Sequence, residues 1–372
     1  MKKTASSEKE NQKNREALAG ELAQSLSPDA IDALLSWYRV SHRPLPWRET
    51  KDPYCIWISE IMLQQTRVEA VKPYFARFLE TAPDPVTLAE LDEGRLYKLW
   101  EGLGYYRRAR NLQRAAREIV ERHGGVMPRT YEELHALSGI GDYTAGAIAS
   151  IAYDERVPAV DGNVLRVLSR LAACDEDISK DATKKAFAAA LAPLVPLAAG
   201  DFTQALIELG ATVCVPNGEA RCDACPMRSV CRARREGRVY EFPVKGEKKP
   251  RRIEQKTVLL IRDGERLLLG KRPEKGLLAG LYEIPNVEGH LCEAEALALV
   301  RSLGLEPARI RRAEDAKHIF THIEWHMIAY EVSVSSEFDG FIPRDGLFLV
   351  NRAERETFYA IPSAFSAYLR YL

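Results

Sequence analysis

The hydrophobic spacing of this chain changes once, and that change sets what it can fold into. From residue 15 to about 240 apolar positions recur three and four apart, as in SPDAIDALLSWYRV, where Ile31, Leu34, Leu35 and Tyr38 follow an N-cap serine. The spacing continues through DPYCIWISEIMLQQTRVEAVKPYFARFLE, RARNLQRAAREIVERH, NVLRVLSRLAA and DFTQALIELGATV, with Gly and Pro between the runs. This predicts a mostly α-helical domain of many short helices over 15–242. The basic stretch 243–256 has no period and reads as a linker. Beyond it, TVLLIRDGERLLLGKR reads as two strands around an Asp-Gly turn, CEAEALALVRSLGL as a helix and IEWHMIAYEVSV as a strand. A smaller α+β domain is therefore expected over 257–372. Residues 1–14 are polar, lack the apolar core of a secretory signal, and read as a disordered tail.

No stretch approaches the roughly 20 apolar residues of a membrane span. A soluble monomer is expected, cytoplasmic (nucleoid-associated if bacterial), with no membrane partner. Disulfides rarely persist in that compartment, and the seven cysteines are an odd number. Cys55, Cys174 and Cys292 stand apart and read as free buried thiols. Cys214, Cys222, Cys225 and Cys231 lie together within 214–231, among Pro and Gly, and read as metal ligands. Four thiolates can hold zinc, but only Cys222 and Cys225 have C-x2-C spacing, and uneven spacing suits an iron–sulfur cubane. The net charge of zero decides nothing about partners, but residues 221–252 carry eleven Lys/Arg against four Asp/Glu.

Three further features carry chemistry. In LSGIGDYTAGAI, 137–148, Gly139 and Gly141 open a helix whose backbone N–H groups can face a phosphate; a plain joint between helices is the alternative. In VPAVDGNVLRVLSR, Asp161 precedes a helix, either as an ordinary N-cap or as a catalytic carboxylate. Glu60 sits among Ile56, Ile58, Ile61 and Leu63, so it must be paired, functional or reaching solvent. A pair of placed carboxylates suits cleavage of a glycosidic bond: one protonates the leaving group and the other meets the sugar cation.

The segments LPWRETKDPYCIWISEIMLQQTRVEAVKPYF, WEGLGYYRRARNL, LSGIGDYTAGAI and VDGNVLRVLSR, with the cysteine run after them, resemble in this order the helix–hairpin–helix DNA glycosylases that carry an iron–sulfur cluster. Among these they are most similar to the adenine DNA glycosylases of the MutY type. The resemblance covers 30–240 strongly and implies a 4Fe–4S cluster on the four cysteines, here with seven residues between Cys214 and Cys222 where the family usually has six. The extra residue is expected to loop out. The resemblance casts Glu60 as the acid that protonates adenine, Asp161 as the carboxylate facing the sugar cation, and Asn163 and Tyr143 as their neighbours. Trp47 and Arg48 would line the adenine pocket, Gln65 and Tyr105 would wedge into the duplex, and Thr66 and Leu103 would lie near 8-oxoguanine. Bifunctional relatives such as endonuclease III carry a nucleophilic lysine where this chain has Tyr143, and a phenol forms no imine. Base removal without efficient strand cleavage is expected.

LLLGKRPEKGLLAGLYEIPN resembles the start of a Nudix fold, but VEGHLCEAEALALVRSLGL, directly after it, lacks the Glu-rich helix that binds magnesium in Nudix hydrolases. Lesion recognition is the better reading, through Phe320, Thr321 and His322, where the family has Phe-Ser-His. The expected partner is duplex DNA with adenine opposite 8-oxoguanine or guanine. A DNA-binding module without catalysis, and a glycosylase for thymine or an oxidised pyrimidine, are the competing classes.

Overall fold

The computed structural model describes residues 2–247, 250–334 and 346–371, with side chains from residue 12 onward. Its contacts divide the chain into two units, Met1–Glu90 with Arg110–Glu247, and Leu91–Ala109 with Lys248–Leu372.

The first unit is helical, and its helix starts are set by local chemistry. Ser27 caps Pro28–Ser41, Asp52 caps Pro53–Leu63 with a proline in the first turn, and Asp161 caps Gly162–Ala172. Leu22, Leu34, Val164, Leu168, Phe187, Phe202 and Leu206 close a core between the N-terminal helices and the three helices Gly162–Ala172, Asp181–Leu191 and Ala199–Thr212. Lys2–Ser25 forms one helix, which corrects the expectation of a disordered tail over 1–14. Among its described side chains, which start at residue 12, burial begins at Leu18, and the polar start of the sequence carries no hydrophobic period.

Among the described residues the second unit is built on a mixed sheet of eight strands: β1 Arg252–Asp263, β2 Arg266–Lys271, β3 Tyr282–Glu283, β4 Asn286–Glu288, β5 Pro307–Arg312, β6 Ala316–Ile319, β7 Ile323–Val334 and β8 Leu347–Val350. β1 and β7 run parallel at its centre, and the other pairings are antiparallel. Both faces of β1 are covered, so it reads as a continuous apolar run. Val258 and Leu260 face Trp325 and Phe365, while Leu259 and Ile261 face Ala296 and Val300 of the helix Glu293–Ser302. Asp263 pairs with Arg266 across a two-residue turn whose Gly264 has φ +58°.

Two boundaries differ from the sequence reading. β1 starts at Arg252, inside the expected linker, because its first residues pair with β7 while their side chains remain largely exposed and show no apolar period. Leu91–Ala109 falls within the range expected for the helical domain, yet it packs in the second unit, where Ile361 N–H donates to Glu101 at 2.8 Å and Lys98 Nζ to the Arg355 carbonyl at 3.2 Å. Of the three isolated cysteines expected to be buried, Cys55 and Cys174 are half-buried and Cys292 is exposed at the head of Glu293–Ser302. Among the described residues no helix is long and apolar enough to cross a membrane.

Candidate active site

Residues Ile56 to Met62 are all buried, so Glu60 has no route to solvent along its own helix, and it is only 8 % exposed. It opens instead on a cavity of about 510 Å³ that is also lined by Trp47, Arg48, Gln65, Thr66, Tyr143, Asp161 and Asn163. Eight sequence-predicted residues, spread over more than a hundred positions, thus line one cavity of the first unit. The Tyr143 hydroxyl donates to Glu60 Oε2 at 2.6 Å. Burial pushes the Glu60 carboxyl up to about 7, with the Tyr143 bond and Arg48 opposing the rise and Asp161 adding to it. Burial and the neighbouring carboxylates also hold the Tyr143 phenol well above its ordinary range, so it acts as a neutral donor.

Asp161 is both the N-cap and a wall of the cavity. Its Oδ1 accepts from the backbone N–H groups of Asn163 and Val164, and its Oδ2 accepts from Asn163 Nδ2 at 2.7 Å. Burial raises its pKa, and these three bonds oppose the rise. Asn163 is itself fixed by Arg166 Nη2 at 2.9 Å, whose guanidinium also donates to the carbonyls of Gly210 and Cys214. A hydrogen-bonded path therefore runs from the cysteine loop to Asp161.

Arg48 is held on the far side by Glu208, with Nη2 to Oε2 at 2.7 Å, and Arg43 makes two further side-chain bonds to the same carboxylate. Glu208 is fully buried; burial alone would raise its pKa, but the two guanidinium groups hold it at about 2. Trp47 is buried with its edge against Phe75. Gln65 is exposed and has φ +59°. The hairpin precedes the helix Asp142–Tyr153. Gly139 needs its φ of +77°, and a Cβ there would come within 2.6 Å of Asn111, whereas a Cβ on Gly141 would meet open space.

The remaining candidates lie in the second unit. Tyr105 has φ +50°, is half exposed, and places its hydroxyl 3.3 Å from Thr321 Oγ1. Phe320, Thr321 and His322 form the turn between β6 and β7, closed by Phe320 N–H to the Ile323 carbonyl at 2.8 Å. Phe320 anchors the turn against Trp325 and His318, leaving Thr321 and His322 exposed. Leu103 is buried, and its carbonyl accepts from Arg108 at 2.9 Å, so its side chain presents little to a ligand.

The chain is similar to known proteins. Residues 58–193 match the model of the HhH-GPD superfamily of base excision DNA repair proteins, and residues 257–371 match the NUDIX domain. The chain is 38 % identical to the adenine DNA glycosylase of Mus musculus, an alignment spanning 81 % of this chain and 70 % of the relative. For the human adenine DNA glycosylase the identity is 36 %, over 82 % and 67 %. For that of Buchnera aphidicola subsp. Baizongia pistaciae it is 32 %, over 78 % and 82 %. The chain belongs to the adenine DNA glycosylase family. It is an enzyme, a hydrolase acting on N-glycosyl bonds in DNA repair.

In this adenine DNA glycosylase family member, four free thiols, Cys214, Cys222, Cys225 and Cys231, line one small apolar cavity beside Arg170. Arg170 Nη1 approaches Cys214 Sγ at 3.2 Å, and Cys231 Sγ lies 3.5 Å from the Arg170 carbonyl. Among the described residues no three His, Cys, Asp or Glu side chains converge as they would around a single ion. Four thiols on the walls of one cavity are a donor set that a zinc ion or an iron–sulfur cluster can take. Between Cys214 and Cys222 the chain turns outward through exposed Pro216–Glu219, with Gly218 at φ +77°. Within the basic stretch, Arg232 is occupied by Glu21 and Glu236. The helix after the Nudix-like start spends Glu295 on capping the Cys292 N–H.

Sequence reasoning missed Arg43, Glu208 and Arg166. Glu208 gave the same signal as Glu60, a glutamate inside the apolar run ALIELG, but its partners lie 160 and more residues away.

Proposed function

We propose that this chain excises adenine paired with 8-oxoguanine or guanine from duplex DNA and leaves the strand uncut. The observation that carries the reading is the buried Glu60–Tyr143 pair, facing Asp161 across one cavity, with a phenol where a lysine nucleophile would stand. An extruded adenine enters the cavity between Trp47 and the catalytic groups. Tyr143 donates to Glu60 Oε2, which leaves Oε1 to carry the acid proton. That proton passes to a ring nitrogen of adenine, and the N-glycosidic bond breaks with its electron pair leaving on the base. The carboxylate of Asp161, oriented by Asn163, faces the positive charge left on the sugar. Water adds at the anomeric carbon, Glu60 takes back a proton, and an abasic site results. The four cysteines would hold a 4Fe–4S cluster, which supplies a cross-link fixing the 214–231 loop rather than chemistry on the base. Gln65, Thr66, Tyr105, Thr321 and His322 would contact the duplex and the opposite base, and Gly139 the phosphate backbone.

The test uses duplexes carrying adenine opposite 8-oxoguanine, adenine opposite thymine, and uracil opposite guanine, scored with and without alkali. Scission of the first alone, and only after alkali, is expected. Scission without alkali, or of another duplex in preference, would overturn the reading.

A further inference from the structure

The loop that carries Tyr105 is more tightly built than an exposed loop needs to be. Gly102, Gly104 and Tyr105 all have positive φ, at +97°, +69° and +50°. The last of these is a conformation that a bulky residue seldom adopts without support. Two buried side chains provide that support. The Trp100 indole donates to the Gly104 carbonyl at 3.1 Å, and Arg108 Nη2 donates to the carbonyls of Leu103 and Gly104 at 2.9 and 3.0 Å. These bonds are local, each spanning four or five residues, and set the loop's own shape.

Glu101 opens the loop, and it has a different set of partners. Its Oε1 accepts the backbone N–H of Ile361 at 2.8 Å, and its Oε2 is paired with Lys98 Nζ at 2.6 Å. Lys98 in turn donates to the Arg355 carbonyl at 3.2 Å. Ile361 belongs to the buried core on one face of the sheet, with Trp325 of β7 and Phe365. Phe320 packs on that same Trp325 and anchors the turn that presents Thr321. The loop and the turn are therefore seated on one core, and their tips meet at the Tyr105–Thr321 hydroxyl pair.

We propose that Glu101 is a positioning residue: by seating the 102–105 loop on the Ile361 segment, it makes Tyr105 and Thr321 a single reader of the base opposite adenine. The proposal rests on the reading given under Proposed function. It implies that lesion selectivity depends on a carboxylate that touches neither DNA nor the reacting atoms.

Two measurements on the full-length protein test it. Single-turnover base removal is compared on duplexes with adenine opposite 8-oxoguanine and adenine opposite guanine. Glu101→Ala should lower the preference for 8-oxoguanine about fivefold to tenfold, the equivalent of one lost hydrogen bond, while the guanine duplex changes by less than about twofold. Glu101→Gln keeps an acceptor for Ile361 N–H and should restore most of the preference. Amide hydrogen exchange on the free protein reads the tie without substrate: in Glu101→Ala, exchange over 101–105 and at Ile361 should rise together. Unchanged exchange would overturn the tie. Raised exchange with unchanged selectivity, an equal loss on both duplexes, or no rescue by glutamine would overturn the positioning role. A wild-type enzyme indifferent to the two duplexes would overturn the reader, one that removes adenine from neither would overturn the functional reading instead, and the exchange result tells these failures from loss of the tie.

Discussion

In the first unit, Glu60, Asp161 and Arg48 of the cavity wall and Glu208 behind Arg48 are each held by a hydrogen bond to another side chain, and all four are largely shielded from water. In the second unit, Tyr105 and Thr321 are exposed, share one hydroxyl contact, and depend on left-handed backbone and a single turn for their placement. The difference reflects what each region must do. Bond cleavage gains from groups already fixed where charge will develop. Reading a base inside a duplex needs groups that can reach out, so order there must come from the backbone and from residues behind the tips. Two glutamates of the first unit repeat the lesson. Glu60 has a neutral phenol as its direct partner and rises to about 7; Glu208 has two guanidinium groups and is held at about 2. Burial is common to both, and the partner decides the sign.

The sharpest way to break this contrast is to alter one region and look for effects in the other. Glu60→Gln should cost about a thousandfold in base removal while leaving affinity for the duplex intact, the loss expected of a general acid. The folded-state pKa of Glu60 lies above the ordinary carboxyl value of 4.5, so its proton is bound more tightly in the folded protein and stability is lost as pH rises from about 4.5 through 7. Glu60→Gln should therefore raise the melting temperature relative to wild type above pH ~7, which thermal denaturation at two pH values would check. Glu208→Ala should destabilise by about 3 kcal/mol in denaturant titrations, because it strands two partly buried guanidinium groups. The Glu208 contribution has the opposite sign to that of Glu60: it is complete above about pH 4.5 and lost as pH falls toward 2. The smallest effect belongs to the lesion side. Tyr105→Phe removes one exposed hydroxyl contact and should lower selectivity for 8-oxoguanine by about threefold, with no change in melting temperature. A large loss of stability there would erase the distinction between the two regions.

The sequence made Glu60 and Asp161 visible because each breaks a local pattern, a charge inside an apolar helix and an acid at a helix start. The cysteine cavity was visible because its four thiols are close in the chain. Arg43, Glu208 and Arg166 were not, since their roles lie in pairings that join distant helices and leave no local period. The left-handed backbone of Gln65 and Tyr105 was also hidden, because neither residue type signals positive φ. The strands of the second unit were legible where both faces are buried, as in VLLI, and illegible at Arg252–Lys256, where pairing with β7 continues but burial fades. The seating of Leu91–Ala109 in the second unit includes pairings with Thr321, Arg355 and Ile361, more than two hundred residues away, which no composition reveals.

The most direct test is the pH dependence of single-turnover adenine removal opposite 8-oxoguanine. With Glu60 acting as the protonated acid, the rate should be level just below about pH 7, where Asp161 is still ionised, and fall about tenfold per unit above it. In Glu60→Gln the small residual rate should lose that fall. A wild-type rate that stays level to about pH 9, or a Glu60→Gln enzyme with the same descending limb, would contradict the assignment of Glu60 as the proton donor.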